Sequence, residues 1–118
     1  MKDLTLLYYT ANLVEDPFAT NVRKHVISLF PEGVDVISVS HKPMDFGINI
    51  HVDGFEYCIY NIYRQILIGT REIKTKYVAC VEDDALYNVE HFSFLPPDDV
   101  FAYNVNRWQV NPTLFFYR

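Results

Sequence analysis

The feature that most constrains this chain is a set of short apolar runs of strand type, spaced so that helix-length segments separate them. The runs are Leu4–Thr10 (LTLLYYT), Val34–Ser40 (VDVISVS) and Tyr77–Val81 (YVACV). Runs of this length, bounded by turn residues, read as buried strands. Between the first two, Asp16-Pro17 is a helix start, with Asp as N-cap and Pro at the first helical position. Phe18, Val22, Val26 and Leu29 then recur at helical spacing, while Arg23, Lys24 and His25 fall largely off that stripe. Pro31-Glu32-Gly33 ends the helix. A second helix is expected over about Phe55–Ile73, where Phe55, Ile59, Ile62, Ile66 and Ile73 lie near one face. His41–Gly54 has no clear period, contains Pro43, Gly47 and Gly54, and reads as a loop; a long loop in a compact domain is often a working one. Strands alternating with helices imply an α/β fold, a mostly parallel sheet flanked by helices, with right-handed crossovers.

The 118 residues fit a single domain, 1–118. Half of them are hydrophobic (50%), enough to bury a core without staples. The net charge of -5, with no basic cluster, argues against nucleic acid as a partner. No apolar run is long enough for a membrane span, and no signal peptide is evident. Cys58 and Cys80 sit in apolar runs and read as two buried thiols in a reducing compartment, so the expected location is cytoplasmic. Pro96-Pro97-Asp98-Asp99 reads as an exposed turn. Val100–Val105 and Leu114–Tyr117 are expected strands, separated by Arg107-Trp108 and Pro112. The last run, if left as an open edge, should self-associate or belong against a larger fold.

In parallel α/β sheets ligands bind beyond the carboxyl ends of the strands. That rule selects Tyr8–Asn12, Ser40–Lys42 and Glu82–Asp84. Three successive carboxylates after a buried strand repel one another, and a cation relieves the repulsion. Mg²⁺ or Mn²⁺ prefers such oxygens and keeps water and substrate phosphates as its other ligands. The competing reading is a solvated acidic turn that caps a following helix. Around the triplet, Tyr9 can stack on a base, and Thr10 or Asn12 can hydrogen-bond its edge. Arg64 offers a charged fork to phosphate or to the triplet itself, and His41 and Lys42 follow the second strand. Each of these also has a plain reading as a core or surface residue. No G-x-S-x-G, Walker A or G-x-G-x-x-G sequence is present, and His25, His41, His51 and His91 are scattered.

The segments Tyr60–Gly69 (YNIYRQILIG) and Thr75–Asp84 (TKYVACVEDD) resemble the arginine-bearing helix, short strand and acidic D-x-D motif of GT-A fold glycosyltransferases, broadly those of family 2. Glu82-Asp83-Asp84 is a variant of that motif. The resemblance covers about residues 4 to 105. It implies a Rossmann-like GT-A domain that binds a nucleoside-diphosphate sugar, a UDP-sugar foremost, with Mn²⁺ or Mg²⁺. It implies that Asp84 ligates the metal and carries the catalytic role, with Glu82 as a second ligand. Glu82 and Asp83 would contact ribose, donor sugar or metal-bound water. Tyr9, Thr10 and Asn12 would surround the base, Ser40 and Lys42 would stand beside it, and Arg64 would approach the diphosphate or donor sugar. Where the family carries an acidic residue after its second strand, this chain has Ser40-His41-Lys42. In the family an acceptor-binding half follows the motif; the stretch after Asp84 is too short for one, so the expectation is a truncated chain, a minimal relative or a binding remnant, and of the late carboxylates Asp98 and Asp99 neither is a strong candidate for a general base. The sequence therefore leaves three readings: a metal-dependent glycosyltransferase or its donor-binding domain, a nucleotide-binding module without transfer, and a protein-interaction domain.

Overall fold

The computed structural model describes residues 3–111 and 115–117. The elements are β1 (Leu4–Thr10), α1 (Phe18–Ser28), β2 (Asp35–Ser40), β3 (Ile48–His51), α2 (Ile59–Thr70), β4 (Tyr77–Val81), α3 (Glu90–Ser93), β5 (Gln109–Asn111) and β6 (Phe115–Tyr117). The first four strands form an all-parallel sheet in the order β3-β2-β1-β4. It is a small α/β protein with helices packed on the sheet, the coarse architecture expected from the alternating runs.

β1 is buried along nearly its whole length, and its alternation divides the core. Leu4, Leu6 and Tyr8 join Val26 of α1, Val81 and Phe92 on one face. Leu7 joins Ile37, Val39 and Val52 on the other, with Ile66 and Ile68 of α2 packed against them. Strand order explains the division. The β1-to-β2 step and the β3-to-β4 step run in opposite directions across the sheet, so crossovers of one hand place their helices on opposite faces.

α1 starts at Phe18 with Pro17 at the N-cap, one position later than the sequence suggests. The Asp16 carboxylate still serves the helix end, accepting from the Thr20 backbone N–H (3.1 Å) and hydroxyl (2.6 Å). Ala19, Val22 and Val26 face the sheet, while Phe18 is exposed. α2 is shorter than expected, and its isoleucine stripe is not its buried face. Asn61, Gln65 and Gly69 are the buried residues, and Ile59 is 74% exposed. The helix lies close on the sheet at Gly69, where a Cβ would stand 2.3 Å from Leu7 Cδ1 and 3.0 Å from Val39 Cγ2.

The segment read as a working loop contains a strand. β3 pairs in parallel with the last half of β2, Ile37 opposite Ile48 through Ser40 opposite His51. Because that register needs only a short backward reach, residues 41–47 make the crossover without a helix. Phe46 packs edge-on against Tyr8 with ring centroids 5.1 Å apart, covering the sheet as a helix would. Gly47, at φ +62°, lies so close to β2 that a Cβ would meet the Val36 carbonyl oxygen at 2.3 Å. Asn49 ties the new strand down: its amide donates to Ser38 Oγ and Ser40 Oγ (both 2.9 Å), and its oxygen accepts from the Met44 N–H (3.1 Å).

Three further expectations are corrected. Val100–Val105 is not a strand; it pairs with neither sheet, and residues 97–109 are exposed throughout. Cys58 is exposed at the N-cap of α2 rather than buried. Cys80 is partly buried, and burial pushes its thiol up to about 11. The closing run forms β6, which pairs antiparallel with β5; residue 114 of that run lies outside the described residues. The turn at Asp98-Asp99 is present, with Asp99 at φ 57° and Asp98 3.5 Å from Lys76 Nζ. Among the described residues, no helix is long and apolar enough to cross a membrane.

Candidate functional site

The chain enters β2 on one side of β1 and returns to β4 on the other. The strand order therefore reverses between β1 and β4, and their carboxyl ends diverge to leave a crevice. A cleft of about 70 Å³ occupies that place. Tyr9, Thr10 and Ala11 from the end of β1 form one wall and Glu82, Asp83 and Asp84 from the end of β4 form the other. Tyr57, Ile62 and Gln65, from α2 and its approach, close the side.

The three carboxylates are in three different environments. Asp84 is exposed. Asp83 is 9% exposed, and its Oδ2 accepts a short hydrogen bond from the Thr10 hydroxyl. Glu82 is half-buried, and its carboxyl is raised above the ordinary value, first by burial and then by the Asp84 charge; a hydrogen bond from Tyr9 works the other way. The Glu82 backbone N–H donates to the Tyr87 hydroxyl (2.8 Å), which fixes the turn from β4 into the triplet. The Tyr9 phenol is held neutral: burial and then the Glu82 charge both raise its pKa.

The other two strand ends join this wall through a continuous rim of hydrogen bonds. Thr10 Oγ1 accepts from the Asn12 N–H (2.8 Å), and Asn12, at φ 59°, accepts from the Lys42 N–H on its own Oδ1 (2.9 Å). Ser40 is fully buried and its hydroxyl donates to the Lys42 carbonyl (2.6 Å), so it braces the rim rather than opening onto the cleft. Lys42 is exposed beside it. Arg64 stands apart. It is exposed, lies 4.1 Å from the centroid of the Phe55 ring, donates to Asn61 Oδ1 (3.0 Å), and does not line the cleft. Of the residues singled out in the sequence, Tyr9, Thr10, Glu82, Asp83 and Asp84 meet in one cleft. Asn12, Ser40 and Lys42 are tied to Thr10 by hydrogen bonds beside the cleft and do not line it.

Sequence reasoning missed Gln65 and Tyr57. Gln65 is 1% exposed and donates to the carbonyls of Thr10 (3.1 Å) and Val39 (3.0 Å), near the carboxyl ends of β1 and β2. The signal was there to read: Asn61, Gln65 and Gly69 are spaced i, i+4, i+8, a narrow face that a polar or small group must occupy for a reason.

Among the described residues, no three of His, Cys, Asp and Glu are grouped so that they could hold a metal. Asp83 is committed to Thr10. A cation here would take Glu82 and Asp84 from the chain and its remaining oxygens from water and a phosphate-bearing ligand, a donor set that suits Mg²⁺ or Mn²⁺. A larger apolar hollow of about 230 Å³, lined by Leu29, Phe30, Val89 and Phe92 among others, lies where α1 ends, away from the carboxyl edge. Comparison with known proteins gives no match: no family model, no curated protein and no solved structure is significantly similar to the chain.

Proposed function

We propose that the cleft binds a nucleoside-diphosphate sugar together with a divalent cation, and that the chain is the donor-binding domain of a GT-A-type glycosyltransferase. One observation carries the reading: the acidic triplet stands in the β1/β4 crevice, directly across from Tyr9 and Thr10. A solvated acidic turn needs no such opposing wall. Tyr9, neutral and half-buried, offers an aromatic face to a base. The rim at Asn12 and Lys42 offers polar contacts near it, with Lys42 supplying a charge toward phosphate. Glu82 and Asp84 hold the cation, which when bound neutralises charge on the departing diphosphate. Asp83 is held by Thr10 and keeps the turn in place between its two neighbours. A cleft of about 70 Å³ is smaller than the roughly 300 Å³ of ordinary small-molecule pockets. It suits the diphosphate and cation, with base and sugar lying outward along the rim.

The test is thermal unfolding with a panel of nucleoside diphosphates, each with Mn²⁺ or with chelator. At about 100 times its dissociation constant a ligand should add about 2.7 kcal/mol, several degrees in midpoint. A metal-dependent shift with one nucleotide, lost in Asp84→Ala, is the expected result and names the base. Turnover with sugar forms of that nucleotide then separates a transferase from a binding module. No shift with any nucleotide, in a protein that unfolds cooperatively, would overturn both.

A further inference from the structure

Among the described residues, no lysine or arginine makes an ion pair with Glu82, Asp83 or Asp84. A guanidinium does reach β1 from α1, away from the cleft lining. Arg23, half-buried on α1, donates through one nitrogen to the Tyr8 hydroxyl (3.2 Å) and through another to Thr20 Oγ1 (3.1 Å). Thr20 in turn donates to the Asp16 carboxylate, so the guanidinium is oriented from both sides. Its carbon stands 5.8 Å from the Tyr8 ring centroid and 5.9 Å from that of Phe46. Tyr8 is 1% exposed and stands two residues before Thr10 on β1, so the two buried side chains share one face of the strand. Thr10 donates to Asp83. A line of polar residues thus runs from exposed Asp16 through half-buried Thr20 and Arg23 to Tyr8, passes to Thr10 as its neighbour on the same face of β1, and ends on the middle carboxylate.

We infer that Arg23 is a positioning residue for the cleft: by fixing Tyr8 beside Thr10 on β1, it holds the Thr10 hydroxyl on Asp83 and so sets the middle carboxylate between Glu82 and Asp84, although it lines no part of the cleft itself. Its consequence for a ligand rests on the nucleoside-diphosphate reading above. Low local dielectric strengthens the two hydrogen bonds at the inner end, Arg23 to the Tyr8 hydroxyl and Thr10 to Asp83.

The experiment compares Arg23→Gln, Arg23→Lys and Tyr8→Phe with Lys24→Gln. The last carries the same charge change as Arg23→Gln from an exposed neighbour on α1. Two quantities are read: the backbone amide resonances of Glu82, Asp83 and Asp84 without ligand, and the affinity for uridine diphosphate with Mn²⁺ or, if it fails to bind, for whichever diphosphate of the panel does. Arg23→Gln and Tyr8→Phe should each move the triplet amides and weaken binding about tenfold, the loss expected for one hydrogen bond to a charged group. Arg23→Lys should recover part of both, and Lys24→Gln should change neither. Triplet amides unmoved in both Arg23→Gln and Tyr8→Phe would overturn the inference, as would wild-type affinity retained in both. If Arg23→Gln does not fold, Tyr8→Phe and Arg23→Lys decide it. Amides that move in a protein binding no nucleoside diphosphate would count against the proposed function alone and leave the positioning intact.

Discussion

The two helices that cover the sheet do so by opposite means. α1 presents Ala19, Val22 and Val26, an ordinary apolar stripe, to a face made of Leu4, Leu6 and Tyr8. α2 presents Asn61, Gln65 and Gly69, and keeps Ile62, Ile66 and Ile68 at its flanks, half-buried. The difference follows from where each helix meets the strand ends. α2 meets the carbonyls of Thr10 and Val39 near the carboxyl ends of β1 and β2, and it meets them with a polar side chain instead of an apolar one. Gln65 supplies both donors, and Gly69 lets the helix come close enough for it to reach. On the α1 side the polar contact with β1 is made differently, by Arg23 on the Tyr8 hydroxyl. One helix fastens the cleft by direct hydrogen bonds and the other through intermediaries.

The comparison can be broken most severely at Gly69. Gly69→Val puts branched carbon where Leu7 and Val39 already stand, and overpacking of this kind should cost about 3 kcal/mol. Urea unfolding would show it; a loss under about 1 kcal/mol would mean that α2 does not sit as closely as described. Next comes a pair that separates the helices by function. Gln65→Leu should lose about 2 kcal/mol through loss of its two hydrogen bonds to the Thr10 and Val39 carbonyls and should also weaken ligand binding, because Thr10 is in the cleft wall. Val26→Ala on α1 should lose a similar amount, about 2 kcal/mol, by cavity formation, and should leave ligand affinity unchanged. Equal effects on affinity from both would erase the distinction. The smallest effect concerns Glu82. A carboxyl whose pKa is raised by folding binds its proton more tightly in the native state, so its ionisation costs stability. That cost is absent below the ordinary value of 4.5 and complete above the native one. Relative to Glu82→Gln, the wild type should therefore lose stability as the pH rises from 4.5 through the native value. Parallel curves for the two proteins across that range would remove the burial and repulsion argument.

Much of this was legible in the residues. β1, β2, β4 and α1 are each declared by a run of apolar residues at strand or helix spacing, and the carboxyl-end rule gathers Tyr9, Thr10 and the acidic triplet from chain order alone. β3 was not legible because its four residues, INIH, alternate apolar with polar groups, and the polar ones are used: Asn49 binds the hydroxyls of Ser38 and Ser40, and His51 meets the His41 carbonyl (2.9 Å). The isoleucines of α2 misled for the converse reason. Ile59 follows the helical period but opens the helix and is 74% exposed. Arg64 shares the fault: its place on the helix is visible in sequence, but its stacking on Phe55 is a contact between neighbours that periodicity does not encode. Val100–Val105 has the composition of a strand and lacks a partner strand, and composition alone does not supply one.

The register that joins β1 to β4 has a kinetic consequence. Thr10 and Asp83 lie 73 residues apart in the chain, whereas Asn12 and Lys42 on the opposite flank lie 30 apart. Closing the longer span is the slower and entropically costlier event, so the β1/β4 seam should be the last to zip and the first to part. The cleft would then be a late product of folding, absent from any partly formed chain that has only its β1–β2–β3 half. Pulse-labelled hydrogen exchange during refolding should find the amides of β4 protected after those of β2, and simultaneous protection would place the two halves in one cooperative step.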